Sequence, residues 1–126
     1  MNLFEYLQNR LKCDMIYLSK YKELRDEAVY VLSFYANVYT NVVTEPDEAH
    51  EEASKKLRDI GVKFEVFATN ESYSSSEIPS NADLKEVSRE FIGLSNSMYI
   101  YKGGDIGRLI DANSRREEKI RSLLRM

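Results

Sequence analysis

Several kinds of residue are scarce in this chain, and each scarcity removes a class of function. Its 126 residues include one cysteine, one histidine, two prolines and no tryptophan. A single cysteine cannot form a disulfide or a Cys-x-x-Cys site within the chain. A single histidine without a nearby cysteine or second histidine makes a poor metal site. We therefore expect no metal and no cofactor.

The chain also lacks an excess of positive charge and any long apolar run. Its formal net charge is −3 at pH 7, whereas phosphate binding needs a basic face. No apolar run approaches the roughly 20 residues of a membrane span. The first residues carry Glu5 and Arg10 among apolar positions, which is not the pattern of a signal peptide. These features predict an intracellular, cytoplasmic protein with no nucleic-acid or membrane partner.

The length and the 43% of apolar residues indicate one domain over residues 1–126 with a single core. Asn2 and Glu5 match a capping box, which predicts a helix from Asn2 to Leu11. This helix forms an N-terminal helical extension over residues 1–13. It is expected to pack through the apolar residues of one face, which are Leu3, Phe4, Leu7 and Leu11.

The predicted fold depends on the apolar stretch from Ala28 to Val42. Its first part, Val29–Tyr35, is dense in β-branched and aromatic residues and predicts a strand buried on both faces. Open α/β folds place their chemistry at the carboxyl end of such a strand. The alternative is one long helix from Ser19 to Val43, because neither glycine nor proline occurs before Pro46.

The remaining segments alternate between helical and strand-like patterns. Further strands are predicted at Asp14–Leu18, Val62–Ala68, Ser97–Tyr101 and Gly107–Ala112, with a hairpin turn at Lys102–Asp105. Further helices are predicted at Lys20–Glu27, from Pro46 to a left-handed cap at Gly61, from Ser80 or Asn81 to Gly93, and from Ser114 to the end. A serine-rich loop insertion, open to phosphorylation at Ser72–Ser76, occupies residues 69–81.

This order resembles the thioredoxin family. VYVLSFYA is similar to that family's central strand, and MYIYKGGDIGRLIDANSRREEKIRSLL to its closing hairpin and last helix. The resemblance implies a thioredoxin-like three-layer α/β/α fold with a central mixed sheet and an extra N-terminal helix. The family's two cysteines would fall at Tyr39 and Val42, its buried acid at Ser33 and its cis-proline near Asn96. Dithiol exchange requires thiols, so the resemblance implies a redox-inactive member.

The resemblance also implies a binding surface at the former active-site groove. Its expected lining is Asn37, Val38, Tyr39, Thr40, Asn41, Val42, Asn96, Ser97 and Met98. We expect a protein-binding, scaffold or chaperone-like module with a protein or peptide partner and no catalytic residues. Two alternatives stay open: a thiol-dependent oxidoreductase that uses Cys13 or a partner cysteine, and a small inhibitor or immunity-type protein.

Four other features have a structural explanation beside a functional one. Cys13 is expected to be a semi-buried small apolar residue, and His50 to lie on the solvated side of an acidic helix. The glycines of Lys102–Gly107 do not match a phosphate-binding motif, and a hairpin turn explains them. The last helix is rich in arginine and lysine, which a helix C-terminus favours and which could also dock an acidic partner.

Overall fold

A computed structural model describes residues 2–45, 47–70, 76–100 and 103–126. These residues form a helical bundle, and no strand is present among them. Its helices are α1 (Leu3–Phe34), α2 (Ala36–Tyr39), α3 (Glu48–Asn70), α4 (Asn81–Ser95) and α5 (Ile106–Leu123). The predicted α/β/α fold and the thioredoxin-like resemblance are therefore wrong.

The predicted strand at Val29–Tyr35 lies in the last two turns of α1, with Tyr35 as the C-cap residue. Ala28, Val31, Leu32 and Tyr35 are buried there, at the spacing of a helix, whereas Tyr30 is 61% exposed. β-Branched and aromatic residues lower helix propensity by at most about 0.7 kcal/mol each. Burying one large apolar side chain contributes about 1.5–3 kcal/mol. Burial at helical spacing therefore contributes more free energy than the local β preference opposes. This stretch is helical, as in the alternative prediction of one long helix.

The predicted strand at Val62–Ala68 is part of α3 for the same reason. Buried residues recur along this helix at Ala53, Leu57, Ile60, Phe64 and Ala68. Gly61 does not cap the helix but lies within it, facing α4. A Cβ atom on Gly61 would be 3.1 Å from the side chains of Phe91 and Ile92. The missing side chain allows α3 and α4 to approach closely.

The four long helices α1, α3, α4 and α5 pack as antiparallel neighbours in chain order. Tyr17 of α1 meets Phe67 near the end of α3, with ring centroids 5.3 Å apart, while the Tyr35 hydroxyl donates to Glu52 near its start. Phe64 of α3 stacks on Phe91 of α4 at 5.9 Å. The core lies between these helices and includes Leu84, Val87, Leu94, Met98 and Ile120.

Several predicted helix ends are confirmed, and others are wrong. Asn2 caps α1 by accepting from the Glu5 amide at 2.8 Å, and Ser80 caps α4 by accepting from the Asp83 amide at 3.1 Å. The last helix begins earlier than predicted, because Asp105 caps it by accepting from the Arg108 amide at 3.0 Å. Asp105 thus replaces the predicted cap at Ser114.

The predicted hairpin is also wrong, since its return strand at Gly107–Ala112 belongs to α5. The first strand of the predicted hairpin was Ser97–Tyr101. Its described residues form no strand and make only an isolated parallel bridge, between Val43 and Tyr99. Tyr101 and Lys102 lie outside the described residues. The predicted serine-rich loop likewise falls partly outside them, at residues 71–75. Its ends, residues 69–70 and Asn81, belong to α3 and α4.

Candidate functional site

The most conspicuous surface feature is a row of large apolar side chains along the first half of α1. We call Leu3, Phe4, Leu7, Leu11 and Met15 the apolar stripe. Their exposed fractions run from 50% at Leu7 to 73% at Leu3. The predicted helix at Asn2–Leu11 is confirmed, but its apolar face does not pack onto the bundle.

The stripe is exposed because α1 is longer than the helix it packs against. α3 ends at Asn70, and its last aromatic contact with α1 is the Tyr17–Phe67 pair. Residues 3–16 therefore extend beyond this contact as a helix segment about 21 Å long. Leu18, at the base of the segment, is the first residue in line with the stripe that packs against the core.

The end of the stripe at Met15 was not predicted from the sequence. Leu3, Leu7, Leu11 and Met15 recur at intervals of four residues, which places them on one side of a helix. The predicted strand at Asp14–Leu18 interrupted this row, because the apolar run DMIYL favours β structure by composition. The unbroken four-residue spacing was the signal that could have extended the helix through it.

The two predicted groove segments do meet in the structure. The Val43 amide donates to the carbonyl oxygen of Met98 at 3.3 Å, and the Ile100 amide donates to that of Val43 at 3.0 Å. Asn113 of α5 joins both segments, because its Nδ2 donates to the carbonyl oxygens of Tyr39 at 2.8 Å and Ser97 at 3.1 Å.

The side chains at this junction point largely into the core. Tyr39 and Met98 are fully buried, and Val42 is 8% exposed. The Tyr39 hydroxyl donates to the carbonyl oxygen of Leu32 at 3.1 Å. Burial, with the nearby Glu117 carboxylate, holds the pKa of Tyr39 well above its ordinary value.

The other predicted groove residues are more exposed. Val38, Thr40 and Ser97 are half-buried, and Asn37, Asn41 and Asn96 are exposed. The Asn41 Nδ2 donates to the carbonyl oxygen of Asn37, and the Asn96 Oδ1 accepts from Arg58 of α3. The junction is a packed contact between loops, so the apolar residues expected to line a groove are not available on its surface.

His50 is buried, at 7% exposed, so its predicted place on the solvated surface is wrong. Its Nδ1 lies 2.8 Å from Oδ1 of Asp47, and its Nε2 lies 2.6 Å from the carbonyl oxygen of Asn41. Both neighbouring atoms are hydrogen-bond acceptors. The His50 backbone amide, and then the ring, hold the pKa of Asp47 below its ordinary value. With both nitrogens engaged, His50 ties the start of α3 to the preceding loop.

Cys13 is exposed, so its expected semi-buried position is wrong. Its thiol lies on the same half of α1 as the apolar stripe. No group of three or more histidine, cysteine, aspartate or glutamate side chains within the described ranges could hold a metal ion.

Most basic residues of α5 are engaged within the bundle. Lys119 donates to Glu86 of α4 at 2.9 Å, and Arg116 donates to Glu90 at 3.2 Å. Lys119, and then Arg89, lower the pKa of Glu86 to about 2. Ion pairs within the chain thus neutralise much of the positive charge of α5, which was the basis for the suggested docking of an acidic partner.

Two surface pockets accompany these contacts. One, of about 320 Å³, lies between α1 and α3 beside the ion pair in which Lys63 donates to Glu27 at 2.8 Å. The other, of about 450 Å³, lies between the bridge residue Tyr99 and the start of α5 at Arg108 and Leu109.

Comparison with known proteins assigns no relative: no family model, curated protein or solved structure matches this chain. No helix among the described residues is both long enough and apolar enough to cross a membrane. Functional inference therefore depends on the physical features of the surface.

Proposed function

We propose that this protein is a non-catalytic protein-binding module, of the scaffold or chaperone-like kind, that contacts its partner through the apolar stripe. The observation that carries this proposal is the exposure of at least half of each stripe side chain on the first half of α1. Burying such side chains contributes about 1.5–3 kcal/mol each when complete. Contiguous exposed apolar patches often mark interaction sites in monomeric proteins.

The partner expected at the stripe is a protein that presents an apolar helix face or groove. A single convex helix is commonly recognised in this way, through anchors at intervals of three and four residues. The charges of residues 3–16 favour a protein over a lipid surface, because Glu5 and Asp14 balance Arg10 and Lys12. Helices that lie on membranes usually carry an excess of lysine and arginine. The proposal retains the expected cytoplasmic location.

A photo-crosslinking amino acid placed at Leu11 tests this proposal in the cells that make the protein. The matched control position is Lys12, which is also exposed and lies about 100° around the helix axis from Leu11. Cross-linked products that form from Leu11 and not from Lys12 would support binding through the stripe. No product at Leu11, or equal products at both positions, would overturn it.

A further inference from the structure

A second candidate site is the pocket beside the start of α5. We call this pocket, of about 450 Å³, the α5 cleft. Its lining residues all belong to the described part of the chain and are Tyr99, Ile100, Asp105, Arg108, Leu109 and Ala112. None of them belongs to α1, so the α5 cleft and the apolar stripe share no residue.

The α5 cleft has two walls that the fold holds in place. One wall is α5, where Leu109 and Ala112 are three residues apart and lie on one side of the helix. The other wall is formed by Tyr99 and Ile100, and the Ile100 amide fixes it by donating to the carbonyl oxygen of Val43 at 3.0 Å. Pre-formed, mostly apolar clefts of about 300–1,000 Å³ are typical of small-molecule sites. The α5 cleft therefore has the size and the walls of such a site.

Arg108 provides the cationic side chain of the cleft. Its backbone amide donates to Oδ1 of Asp105 at 3.0 Å, but its guanidinium makes no hydrogen bond or ion pair with any described residue. Lys119 and Arg116 of the same helix, by contrast, pair with glutamates of α4. The Asp105 carboxylate is engaged as the N-cap, where the positive end of the helix stabilises its charge. The charge that is left without a partner at the cleft is therefore positive.

From the apolar walls and this unpaired cation, we infer that the α5 cleft binds a small monocarboxylate with a hydrocarbon body, of the medium-chain fatty acid class. The carboxylate accepts from the Arg108 guanidinium, whose planar array of N–H groups matches two carboxylate oxygens. The hydrocarbon chain lies against Ile100, Leu109 and Ala112. A single cation beside the Asp105 carboxylate favours a singly charged group over a doubly charged phosphate, which the carboxylate would repel more strongly.

A titration of the ¹⁵N-labelled protein with octanoate, followed by NMR, tests the site. The amide signals of the lining residues should shift and reach saturation. Octan-1-ol has the same hydrocarbon chain without the charge, and it should bind the wild type more weakly than octanoate. Because each amide reports its own position, contact of octanoate with the apolar stripe is recognised separately.

Three variants separate the contributions of charge and shape. Arg108→Gln removes an exposed cation outside the core, so it should weaken octanoate binding by about tenfold and leave octanol binding unchanged. Arg115→Gln makes the same charge change at an exposed position of α5 outside the cleft, and should bind octanoate like the wild type. Ala112→Phe fills the cleft and should weaken the binding of both compounds, with its fold checked by circular dichroism.

The absence of saturable shifts at the lining residues would overturn the site. Equal binding of octanoate by the wild type and by Arg108→Gln would overturn the role of the cation and, with it, the assignment of a carboxylate. Tighter binding of octyl phosphate than of octanoate would also overturn the monocarboxylate. None of these results bears on cross-linking at Leu11, so the failure of this inference and the failure of the proposed function are distinguishable.

Discussion

The guanidinium of Arg25 in α1 donates from Nε to the carbonyl oxygen of Leu124, at the end of α5, over 3.1 Å. Its Nη2 donates to the next carbonyl, that of Arg125, also at 3.1 Å. The last carbonyls of a helix have no partner within that helix. Arg25 thus donates to the carbonyl oxygens of the C-cap residue of α5 and of the residue after it, from about a hundred positions away in the chain, and it joins α1 to α5.

Arg25→Lys should destabilise the protein by about 1–2 kcal/mol. A lysine keeps the charge but cannot direct two fixed N–H groups at two carbonyls, and a hydrogen bond from a charged group contributes about 1.5–3 kcal/mol before discounting for its partial exposure. Urea unfolding measures the change in the free energy of unfolding. The exposed Lys22→Ala on the same helix serves as the control, and an equal loss in both variants would contradict the capping role.

Asn113→Ala should destabilise the protein by about 2–3 kcal/mol. Asn113 is fully buried and satisfies the carbonyl oxygens of Tyr39 and Ser97, which the variant would leave buried without a donor. The neighbouring Ser114→Ala is the control. Thermal unfolding measures both, and hydrogen exchange should show faster exchange around the loop that follows Tyr39. A variant as stable as the control would show that the junction does not depend on this amide.

The ion pairs of Glu86 should make stability fall in acid. Its pKa is lowered from 4.5 to about 2 in the folded protein, mainly by Lys119 and then by Arg89. A carboxyl group whose pKa is lower in the folded than in the unfolded protein stabilises the fold at pH values above its unfolded pKa. This stabilisation is lost as the pH falls from about 4.5 toward 2. Because Lys119 and Arg89 are each more than half exposed, we expect these ion pairs to contribute only about 0.5–1 kcal/mol to the free energy of unfolding.

Glu86→Gln provides the measurement for this titration. The difference in the free energy of unfolding between wild type and variant should be present at neutral pH and should vanish near pH 2 (about where the folded carboxyl protonates). The exposed Glu118→Gln on α5 changes the same charge and serves as the control. A difference that stays constant across this pH range would contradict the assigned role of the carboxylate.

Gly61→Val should destabilise the protein, although glycine is a poor helix former. The added side chain would meet Phe91, Ile92 and the Ser88 carbonyl oxygen, all at 3.1–3.2 Å from the Cβ position. Overpacking of this kind costs about 1–3 kcal/mol. By contrast, Gly107→Ala in the exposed first turn of α5 should be neutral or stabilising by up to about 1 kcal/mol. A stabilised Gly61→Val would show that α3 and α4 have room to separate.

The local parts of this fold were predictable from the sequence, because their causes are local. The caps at Asn2 and Ser80 follow from a polar side chain that accepts from an amide three residues ahead. The helical character of α4 follows from apolar residues at helical spacing. The burial of His50 was not predictable in this way, since it depends on a carbonyl oxygen nine residues earlier, at Asn41.

The sequence by itself determined the caps at Asn2 and Ser80, and it placed Leu3, Phe4, Leu7 and Leu11 on one face of the first helix. Only the tertiary structure decided that Val29–Phe34 is helical, because packing against α3 contributes more free energy than the local β preference opposes. It also decided that the stripe is a surface and not a core. That outcome depends on where α3 ends beside α1. The local sequence pattern of one helix does not specify the length of the helix that packs against it.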